Sequence, residues 1–381
     1  MHRPMRAIVA FALLGLAVLA RAQEPPPVPA PPRLEARSWI LEDFHSARVL
    51  AAHEPRRRIE PASMTKMMTV YVALKEIHAG RLRLDDRVTV SEKAWRTPGS
   101  RMFIEVGRQV TVEALLKGII VQSGNDASVA LAEHIAGSED SFAGLMNRYA
   151  AALGMRGTHF ANATGLPHPK HYTTVADLAK LARALIRDFP EEYRWHAIKK
   201  YTYNGITQYN RNRLLWRDPS VDGIKTGHTE SAGYCLAASA ERDGMRLIVI
   251  VAGTRGEEAR ARAAQALLNW GFRFYETRRL YEAGKPLARP RVWFGAREEV
   301  PVGPARDVHV TFPRGHYRRL EPAMRLPARL EAPVERGRRL GEVRVRLGGE
   351  TLAEAPLVAL EAVPEGSLWQ RLRDRVLLLL E

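Results

Sequence analysis

The chain has 381 residues, of which 46% are hydrophobic and 26% are charged. This length exceeds that of one average domain, and the apolar content is ample for a sizeable core, so two domains are expected. The single cysteine, Cys235, excludes an intramolecular disulfide, and the 12 histidines show no spacing typical of a zinc site, so we expect no metal and no other cofactor.

The formal net charge is +16 at pH 7. Such a charge is common in nucleic-acid-binding proteins, but no nucleic-acid-binding motif accompanies the arginines, and the N-terminal segment predicts export. We therefore expect no nucleic-acid partner. The positive charge would favour binding to anionic lipid headgroups or acidic wall polymers. An arginine-rich composition without any binding role explains it equally well.

The first residues predict a secretory signal peptide. Residues 1–6 are basic, residues 7–19 are apolar, and Ala20-Arg21-Ala22 has the small-x-small pattern of a cleavage site. The apolar stretch is short for a membrane-spanning helix, so we predict a signal peptide at residues 1–22. The proline-rich segment 23–36 is predicted to be a leader ahead of the first domain.

A buried helix is predicted over residues 61–75, which are apolar on most faces and are followed by Gly80 as a stop signal. Ser63 lies in its first turn, and Lys66 lies one turn later, beside the Ser63 hydroxyl. A serine becomes a good nucleophile when a neighbouring base accepts its proton, and a lysine is a base only when it is neutral. Burial next to a second cation, Lys225, is expected to lower the pKa of Lys66 for that role. The alternative, a helix-capping Ser63 with a surface Lys66, is disfavoured by the apolar neighbours of the lysine.

The tripeptide Ser123-Gly124-Asn125 is predicted to be a loop between a helix over residues 112–122 and a second apolar helix over residues 126–135. Such a loop can direct short polar side chains into a cleft. Ser123 could relay a proton to a leaving amine, and Asn125 could hold a substrate carbonyl or the lysine amine. The alternative is an ordinary turn between helices.

An antiparallel sheet is predicted in the second half of the chain. Residues 221–229, 231–240 and 246–253 have the composition of strands, and the Arg242-Asp243-Gly244 turn predicts a hairpin between the last two.

The first of these strands contains the tripeptide Lys225-Thr226-Gly227. Lys225 and Thr226 offer hydrogen-bond donors to a carboxylate, and the glycine allows a substrate backbone to approach the strand closely. The backbone amides of Ser63 and His228 are the expected pair that would stabilise the oxyanion of a tetrahedral intermediate.

The C-terminal part of the chain predicts a small β-rich domain and a tail helix. Residues 278–363 contain short alternating runs separated by glycines and prolines, which are typical of strands. Residues 364–381 form an amphipathic pattern with Leu368 and Leu372 on the apolar face and arginines mostly opposite. This pattern predicts a helix that anchors the protein in the plane of a membrane surface; the alternative is that its apolar face covers the protein's own surface.

The three motifs occur in a fixed order, and together they resemble the serine penicillin-recognising enzymes, which include class A β-lactamases and penicillin-binding proteins. Within that group the chain is similar to the low-molecular-mass D-alanyl-D-alanine carboxypeptidases of the penicillin-binding protein 5/6 type. Beyond the three motifs, the similarity lies in residues 60–66, 171–178, 222–229 and 269–275.

This resemblance implies an α+β fold of the α/β/α sandwich type. The catalytic domain, residues 37–277, would have an antiparallel sheet flanked by helices, and residues 278–363 would form a β-sandwich. Ser63 would be the acylated nucleophile and Lys66 its base, with Ser123 and Asn125 completing the proton path. The residues expected to bind or orient the substrate are Lys225, Thr226, Gly227, His228 and Arg211.

The implied activity is removal of the terminal D-alanine from the pentapeptide stems of peptidoglycan, on the periplasmic side of the bacterial inner membrane. β-Lactams would acylate the same serine. Three alternatives remain: a D,D-endopeptidase, a class A β-lactamase-like hydrolase, and a catalytically weak scaffold that binds the wall. Gly124, where class A β-lactamases usually have Asp, and the lack of a glutamate in residues 159–177 disfavour the β-lactamase. The intact serine and both lysines disfavour the scaffold.

Overall fold

The computed structural model describes residues 27–380, so the predicted signal peptide lies outside the described residues. The strands are β1 (Ser38–Asp43), β2 (Val49–His53), β3 (Arg87–Thr89), β4 (Gln109–Thr111), β5 (Lys200–Tyr203), β6 (Ile206–Tyr209), β7 (Val221–Thr229), β8 (Gly233–Arg242), β9 (Met245–Thr254), β10 (Tyr275–Tyr281), β11 (Val292–Trp293), β12 (Val302–Pro304), β13 (Val308–Pro313), β14 (Glu321–Arg325), β15 (Leu330–Glu331), β16 (Arg339–Leu347) and β17 (Glu350–Ala359).

The α-helices are α1 (Lys66–His78), α2 (Glu92–Arg96), α3 (Val112–Lys117), α4 (Asn125–Ala136), α5 (Glu139–Ala152), α6 (Val175–Asp188), α7 (Pro190–Tyr193), α8 (Leu214–Arg217), α9 (Glu257–Phe274) and α10 (Leu368–Leu380). Short 3₁₀ helices lie at Ala62–Thr65, Arg194–Ala197 and Tyr317–Arg319, and a single π-helical turn lies at Gly118–Gln122.

A five-stranded antiparallel sheet with the order β2-β1-β9-β8-β7 forms the centre of the first part of the chain. The predicted hairpin is confirmed: β8 and β9 pair directly, and Asp243 and Gly244 both have positive φ at the turn. Such angles suit a tight two-residue hairpin loop. Strand β7 is at the edge of the sheet, so its outer backbone groups can face a cleft.

The two faces of this sheet bury separate hydrophobic cores, because successive side chains of a strand point to opposite faces. In β9, Ile248 and Ile250 pack into the core formed with α1, α4 and α6, whereas Leu247 and Val249 pack into the core formed with α9. The predicted α+β fold, with helices on both faces of an antiparallel sheet, is confirmed.

The C-terminal strands form a separate β-rich unit. A four-stranded sheet has the order β12-β17-β16-β14, β10 pairs with β13, and β11 pairs with β15. This unit buries apolar cores of its own, with Val302, Val343 and Leu357 in the larger one. Hydrogen bonds join it to the segment between β1 and β2, between Ser46 Oγ and Thr311 Oγ1 at 2.6 Å and from Arg48 to Glu350 at 2.9 Å.

The described part of the proline-rich leader, residues 27–36, has no helix or strand and lies against α9. The indole Nε1 of Trp270 donates a hydrogen bond to the carbonyl of Pro29 at 3.1 Å. The partly buried side chains of Val28 and Leu34 pack against the same core as α9.

Helix α10 contacts the β-rich unit through its polar side. Ser367 and Gln370 cap its first turn reciprocally, and the buried carboxylate of Asp374 accepts a hydrogen bond from the Phe294 amide at 2.7 Å. The apolar side chains point outward, since Trp369 is 80% exposed and Leu379 is 86% exposed. The apolar face therefore does not cover the protein's own surface, which was the alternative interpretation of the tail. Within residues 27–380, no helix is long and apolar enough to cross a bilayer.

Candidate active site

Ser63 lies in the 3₁₀ turn Ala62–Thr65, which leads directly into α1. The sequence placed Ser63 in the first turn of the helix, and the structure differs only in that this turn is tighter. Two glycines allow the rest of the protein to approach the turn. A Cβ at Gly227 would lie 3.0 Å from the Pro61 carbonyl oxygen, and a Cβ at Gly165, whose φ is +86°, would overlap the Ala62 carbonyl.

The amine of Lys66 is the centre of the site. The side chain is completely buried, and Nζ lies within hydrogen-bond distance of Ser63 Oγ (3.1 Å), Asn125 Oδ1 (2.7 Å) and the Thr164 carbonyl (2.5 Å). These three acceptors match the three hydrogens of an ammonium group. When the amine is neutral, its two hydrogens can still be donated to Asn125 Oδ1 and the Thr164 carbonyl, and its lone pair can face the Ser63 hydroxyl. The arrangement therefore presents a base to the nucleophile.

The pKa of Lys66 is lowered to about 7, mainly by burial and also by the positive charge of Arg211, while Asp126 opposes this shift. The sequence predicted a lowered pKa with Lys225 as the second cation. The direction of the shift is the one predicted, and Arg211 is a further cation that acts on Lys66. The two lysines repel each other, and this repulsion contributes, with burial, to the lowered pKa of Lys225.

Ser123 follows the π-helical turn and has left-handed backbone angles, with φ of 60° and ψ of 34°. A non-glycine residue in this region costs about 1–2 kcal/mol unless its surroundings compensate. Its Oγ is buried and has no hydrogen-bond partner within residues 27–380. A buried hydroxyl without a partner is costly, so this atom is available to a substrate group.

Asn125 and Asp126 begin α4 and hold the opposite wall of the site. Asn125 Nδ2 donates to the Pro98 carbonyl at 2.6 Å, which directs its Oδ1 toward Lys66. The carboxylate of Asp126 accepts from the amides of Met102 (2.8 Å) and Phe103 (2.9 Å). These bonds fix the start of α4 against the preceding loop and therefore fix the position of the amide oxygen that contacts the lysine.

The third wall is the edge strand β7. Lys225 and Thr226 are buried, and Gly227 lies against the Ser63 turn. His228 is exposed and packs against Tyr234 in a tilted arrangement with ring centroids 3.9 Å apart. Burial lowers the pKa of Lys225 well below its usual range, and the neighbouring positive charges act in the same direction.

Two arginines complete the cationic side of the cleft. Arg211, predicted from the sequence, donates to Ser100 Oγ at 2.8 Å. Arg260 on α9 was missed: it is 3% exposed and donates to the Gly227 carbonyl at 3.2 Å. No sequence signal distinguishes it, because it lies among other arginines at the start of a helix.

His171 also supports the nucleophile turn and was predicted only as part of the family resemblance. The amide of Ala161 donates to its Nδ1 at 3.0 Å, so Nε2 carries the hydrogen and donates to Thr65 Oγ1 at 2.7 Å. Burial lowers the pKa of this histidine to about 4, and nearby His168, His159 and Lys66 contribute. The ring is therefore neutral at pH 7 and fixes Thr65 between Ser63 and α1.

The predicted residues come together around one cleft of about 280 Å3. Its lining includes Ser63, Ser123, Asn125, Arg211, Thr226, Gly227, His228 and Arg260. Lys66 and Lys225 lie buried behind this lining. Within residues 27–380, no group of three or more His, Cys, Asp or Glu side chains could hold a metal ion. A hydroxyl beside a buried amine, with backbone amides and cations nearby, is chemically suited to acyl transfer.

Comparison with known proteins defines the class. Residues 25–256 match the family model described as D-alanyl-D-alanine carboxypeptidase, and residues 275–365 match the C-terminal domain of penicillin-binding protein 5. The chain therefore belongs to the D-alanyl-D-alanine carboxypeptidase family, and it is a serine-type peptidase of this class. The family resemblance predicted from the three motifs is confirmed.

Individual relatives cover nearly the whole chain. The D-alanyl-D-alanine carboxypeptidase DacA of Escherichia coli (strain K12) is 43% identical over 360 residues, which are 92% of this chain and 89% of DacA. The crystal structure of penicillin-binding protein 5 from Haemophilus influenzae has 40% identity and a TM-score of 0.84, over 88% of this chain and 99% of that one. The ampicillin-bound penicillin-binding protein D2 from Listeria monocytogenes has 29% identity and a TM-score of 0.58, over 63% of this chain and 98% of that one.

The close approach at Gly165 predicts that Gly165→Ala damages the site. Its new methyl group would overlap the Ala62 carbonyl and push the Ser63 turn away, so we expect a loss of about 3 kcal/mol or more in the free energy of unfolding. D-alanine release from an acyl-Lys-D-Ala-D-Ala peptide should fall in parallel.

Gly154→Ala is the matched control, because Gly154 has a φ of +69° and a methyl group at this position would have nothing within 4 Å. It carries the same type of backbone strain without the clash, so about 1 kcal/mol of stability should be lost and D-alanine release retained. Chemical denaturation and a D-alanine assay of both variants check this. Equal losses in the two variants would contradict the role assigned to the contact.

Proposed function

We propose that Ser63 and Lys66 carry out the carboxypeptidase reaction on peptidoglycan stems as a nucleophile and its base. The observation that supports this assignment most directly is the 3.1 Å contact between the buried Lys66 amine and the Ser63 hydroxyl. Neutral Lys66 accepts the hydroxyl proton as Oγ attacks the carbonyl carbon of the penultimate D-alanine. The backbone amides of Ser63 and His228 stabilise the oxyanion that forms.

Collapse of the tetrahedral intermediate breaks the peptide bond. The leaving amine takes a proton that travels from Lys66 through the Ser123 hydroxyl, whose oxygen is buried without a partner in the described chain. The terminal D-alanine departs, and a water molecule then hydrolyses the ester on Ser63. Asn125 keeps the lysine amine in place through its 2.7 Å hydrogen bond during both half-reactions.

The cations of the cleft suggest how the substrate lies. A stem peptide that extends along edge strand β7 would place its terminal carboxylate near Lys225 and Thr226, where Arg211 and Arg260 add positive charge. Gly227 keeps the strand free of a side chain at the point of closest approach. The rest of the stem would then continue past His228 toward the end of the strand.

β-Lactams should acylate Ser63, since their strained amide occupies the place of the D-Ala-D-Ala peptide bond. The similarity to the ampicillin-bound penicillin-binding protein D2 supports this proposal. The amine released from the β-lactam ring stays attached to the acyl group instead of diffusing away as D-alanine does, so this acyl-enzyme should hydrolyse slowly.

We also propose the domain division and location that the sequence predicts. Residues 37–277 form the catalytic domain, residues 278–363 form the β-rich domain, and the tail helix anchors the exported enzyme at the periplasmic surface of the inner membrane. The outward-facing apolar side chains of α10 support the anchor, because a stripe of this kind beside several arginines suits an anionic lipid surface.

Replacing Ser63 with alanine should abolish covalent labelling by a fluorescent penicillin and lower D-alanine release by about 10⁴-fold or more. The fold should be kept, because the small side chain lies in a cleft lining rather than in the core. Ser123→Ala is the contrasting variant: labelling should persist but slow by about 10²–10³-fold, since only the proton relay is lost. Labelled Ser63→Ala protein would rule out this serine as the nucleophile.

The pKa of Lys66, about 7, predicts the pH dependence of acylation. Only the neutral amine accepts the proton, so the acylation rate should fall about tenfold per pH unit below this pKa and level off above it. Arg211→Ala removes a positive charge that lowers the pKa of Lys66, so the midpoint should move to higher pH. Stopped-flow labelling across about pH 5–10 measures both profiles. A wild-type midpoint above about pH 9, or a downward shift in the variant, would contradict the assignment.

Acidic substitutions on the outward face of α10 should detach the protein from membranes. For the double variant Leu372→Glu and Val376→Glu, binding to vesicles that contain anionic phospholipid should weaken by more than about tenfold. The control carries the same substitutions at exposed apolar residues of the catalytic domain, Ile206→Glu and Trp216→Glu, and should bind as the wild type does. Sedimentation with vesicles measures both. Equal binding by all three proteins would exclude the tail as the anchor.

A further inference from the structure

A second cavity, which we name the basic cleft, lies next to the candidate active site. It has a volume of about 570 Å3, and its charged or titratable lining residues include Arg37, Arg57, Arg58, Glu60, His168 and His171. Three guanidinium groups against one carboxylate make its lining strongly basic. None of these residues takes part in the reaction proposed for Ser63.

The basic cleft and the active-site cleft share their walls. Three separate segments of the chain contribute to both cavities. In each segment one residue lines the active-site cleft and a nearby residue lines the basic cleft; these pairs are Ser63 and Glu60, Leu166 and Pro167, and Thr229 and Ser231. The two cavities therefore lie on either side of the same three pieces of backbone. A ligand long enough to leave one cavity along these segments reaches the other.

The single carboxylate of the lining is already engaged, whereas two guanidinium groups remain accessible. Glu60 accepts a hydrogen bond from Ser231 Oγ at 2.5 Å. Arg58 lies over the ring of Tyr172, at 4.3 Å from the ring centroid, which orients its guanidinium group without neutralising it. Arg57 is 53% exposed and its nearest carboxylate, Glu54, is 4.0 Å away.

His171 adds no positive charge to this lining, because its bonds to Ala161 and Thr65 hold it neutral. The three arginines therefore supply the permanent positive charge of the cleft.

The proposed substrate orientation leads from the active site to this cleft. The terminal carboxylate lies near Lys225 and Thr226, so the preceding residues of the stem run along β7 past His228 and Thr229. The chain that follows this strand, at Ser231 and Ala232, lines the basic cleft. An extended peptide rises about 3.3 Å per residue, and Ser231 is five positions after Thr226, so a stem of pentapeptide length, about 17 Å, reaches the edge of this cleft.

We propose that the basic cleft is a second substrate subsite, which binds a carboxylate carried by the stem peptide upstream of the D-Ala-D-Ala end. The inference rests on the proposed function and extends it to the substrate class. Peptidoglycan stems contain an acidic residue linked through its side chain, and this leaves a free α-carboxylate within the peptide. Arginine is the side chain best suited to bind a carboxylate, since its planar guanidinium group donates two parallel hydrogen bonds.

The test compares three substrates of the purified full chain in detergent. One is a pentapeptide with a free glutamate α-carboxylate, the second is the same peptide with this carboxylate amidated, and the third is diacetyl-Lys-D-Ala-D-Ala, which is too short to reach the cleft. We expect the wild type to have about a tenfold higher kcat/KM for the acidic pentapeptide than for the amidated one, mainly through a lower KM.

The double variant Arg57→Ala and Arg58→Ala should lose this preference, while its activity on the short substrate and its penicillin labelling stay unchanged. The matched control is Arg56→Ala with Arg156→Ala, which removes the same charge from residues that line a different cavity. The control should keep the preference.

Three results would overturn the subsite: no preference in the wild type, equal loss of preference in both double variants, or an equal loss on all three substrates in the Arg57/Arg58 variant. The second result would mean general electrostatic attraction, and the third a structural effect on the Ser63 turn. Failure of the wild type to release D-alanine even from the short substrate would instead overturn the proposed function itself.

Discussion

The buried amine of Lys66 is the constraint on which the rest of the site depends. Removing an ammonium group from water costs several kcal/mol unless the protein replaces its hydration. Here Ser63, Asn125 and Thr164 supply three oxygen acceptors from three different parts of the chain. This replacement is incomplete, and the remaining desolvation lowers the pKa to about 7. The same burial that destabilises the charged amine thus makes it a base near neutral pH.

Such a site requires unusually close packing of backbone segments. The turn that carries Ser63 is enclosed by β7 on one side and by the segment before His171 on the other, and both contacts occur at glycines. Thr65, held by the neutral His171 ring, fixes the same turn from behind. A side chain at Gly165 would overlap the Ala62 carbonyl, and one at Gly227 would crowd the Pro61 carbonyl. The site therefore depends on the absence of a Cβ at these two positions as well as on its polar groups.

The sequence was informative about those residues whose chemistry is tied to a short local pattern. A serine and a lysine three positions apart before an apolar helix predict their own proximity, and the hairpin beyond β7 follows from its turn residues. Arg260 and Thr164 could not be found in this way. Arg260 contributes through its position on a distant helix, and Thr164 contributes a backbone carbonyl that any residue would have.

The cations next to Lys66 show the same limit. Lys225 was predicted to be the second cation beside Lys66, since both occur in recognisable motifs, and the two lysines do repel each other. Arg211 also lowers the pKa of Lys66, a role that the sequence did not assign to it, because the distances that decide electrostatic effects are tertiary. The orientation of α10 was open for a similar reason: an amphipathic pattern says which faces differ, but it does not say which face the protein itself contacts.

Asp374 fixes the orientation of α10 relative to the β-rich unit. Its buried carboxylate holds the polar side of α10 against the Phe294 amide, while hydrogen bonds at Ser46 and Arg48 join the β-rich unit to the catalytic one. In the membrane-bound enzyme proposed above, these hydrogen bonds would hold Ser63 at a fixed distance from the membrane surface, because each unit between the anchor and Ser63 is bonded to the next. The depth of wall within reach of Ser63 would then be set by the dimensions of the molecule, so that only stems close to the membrane would meet the active site.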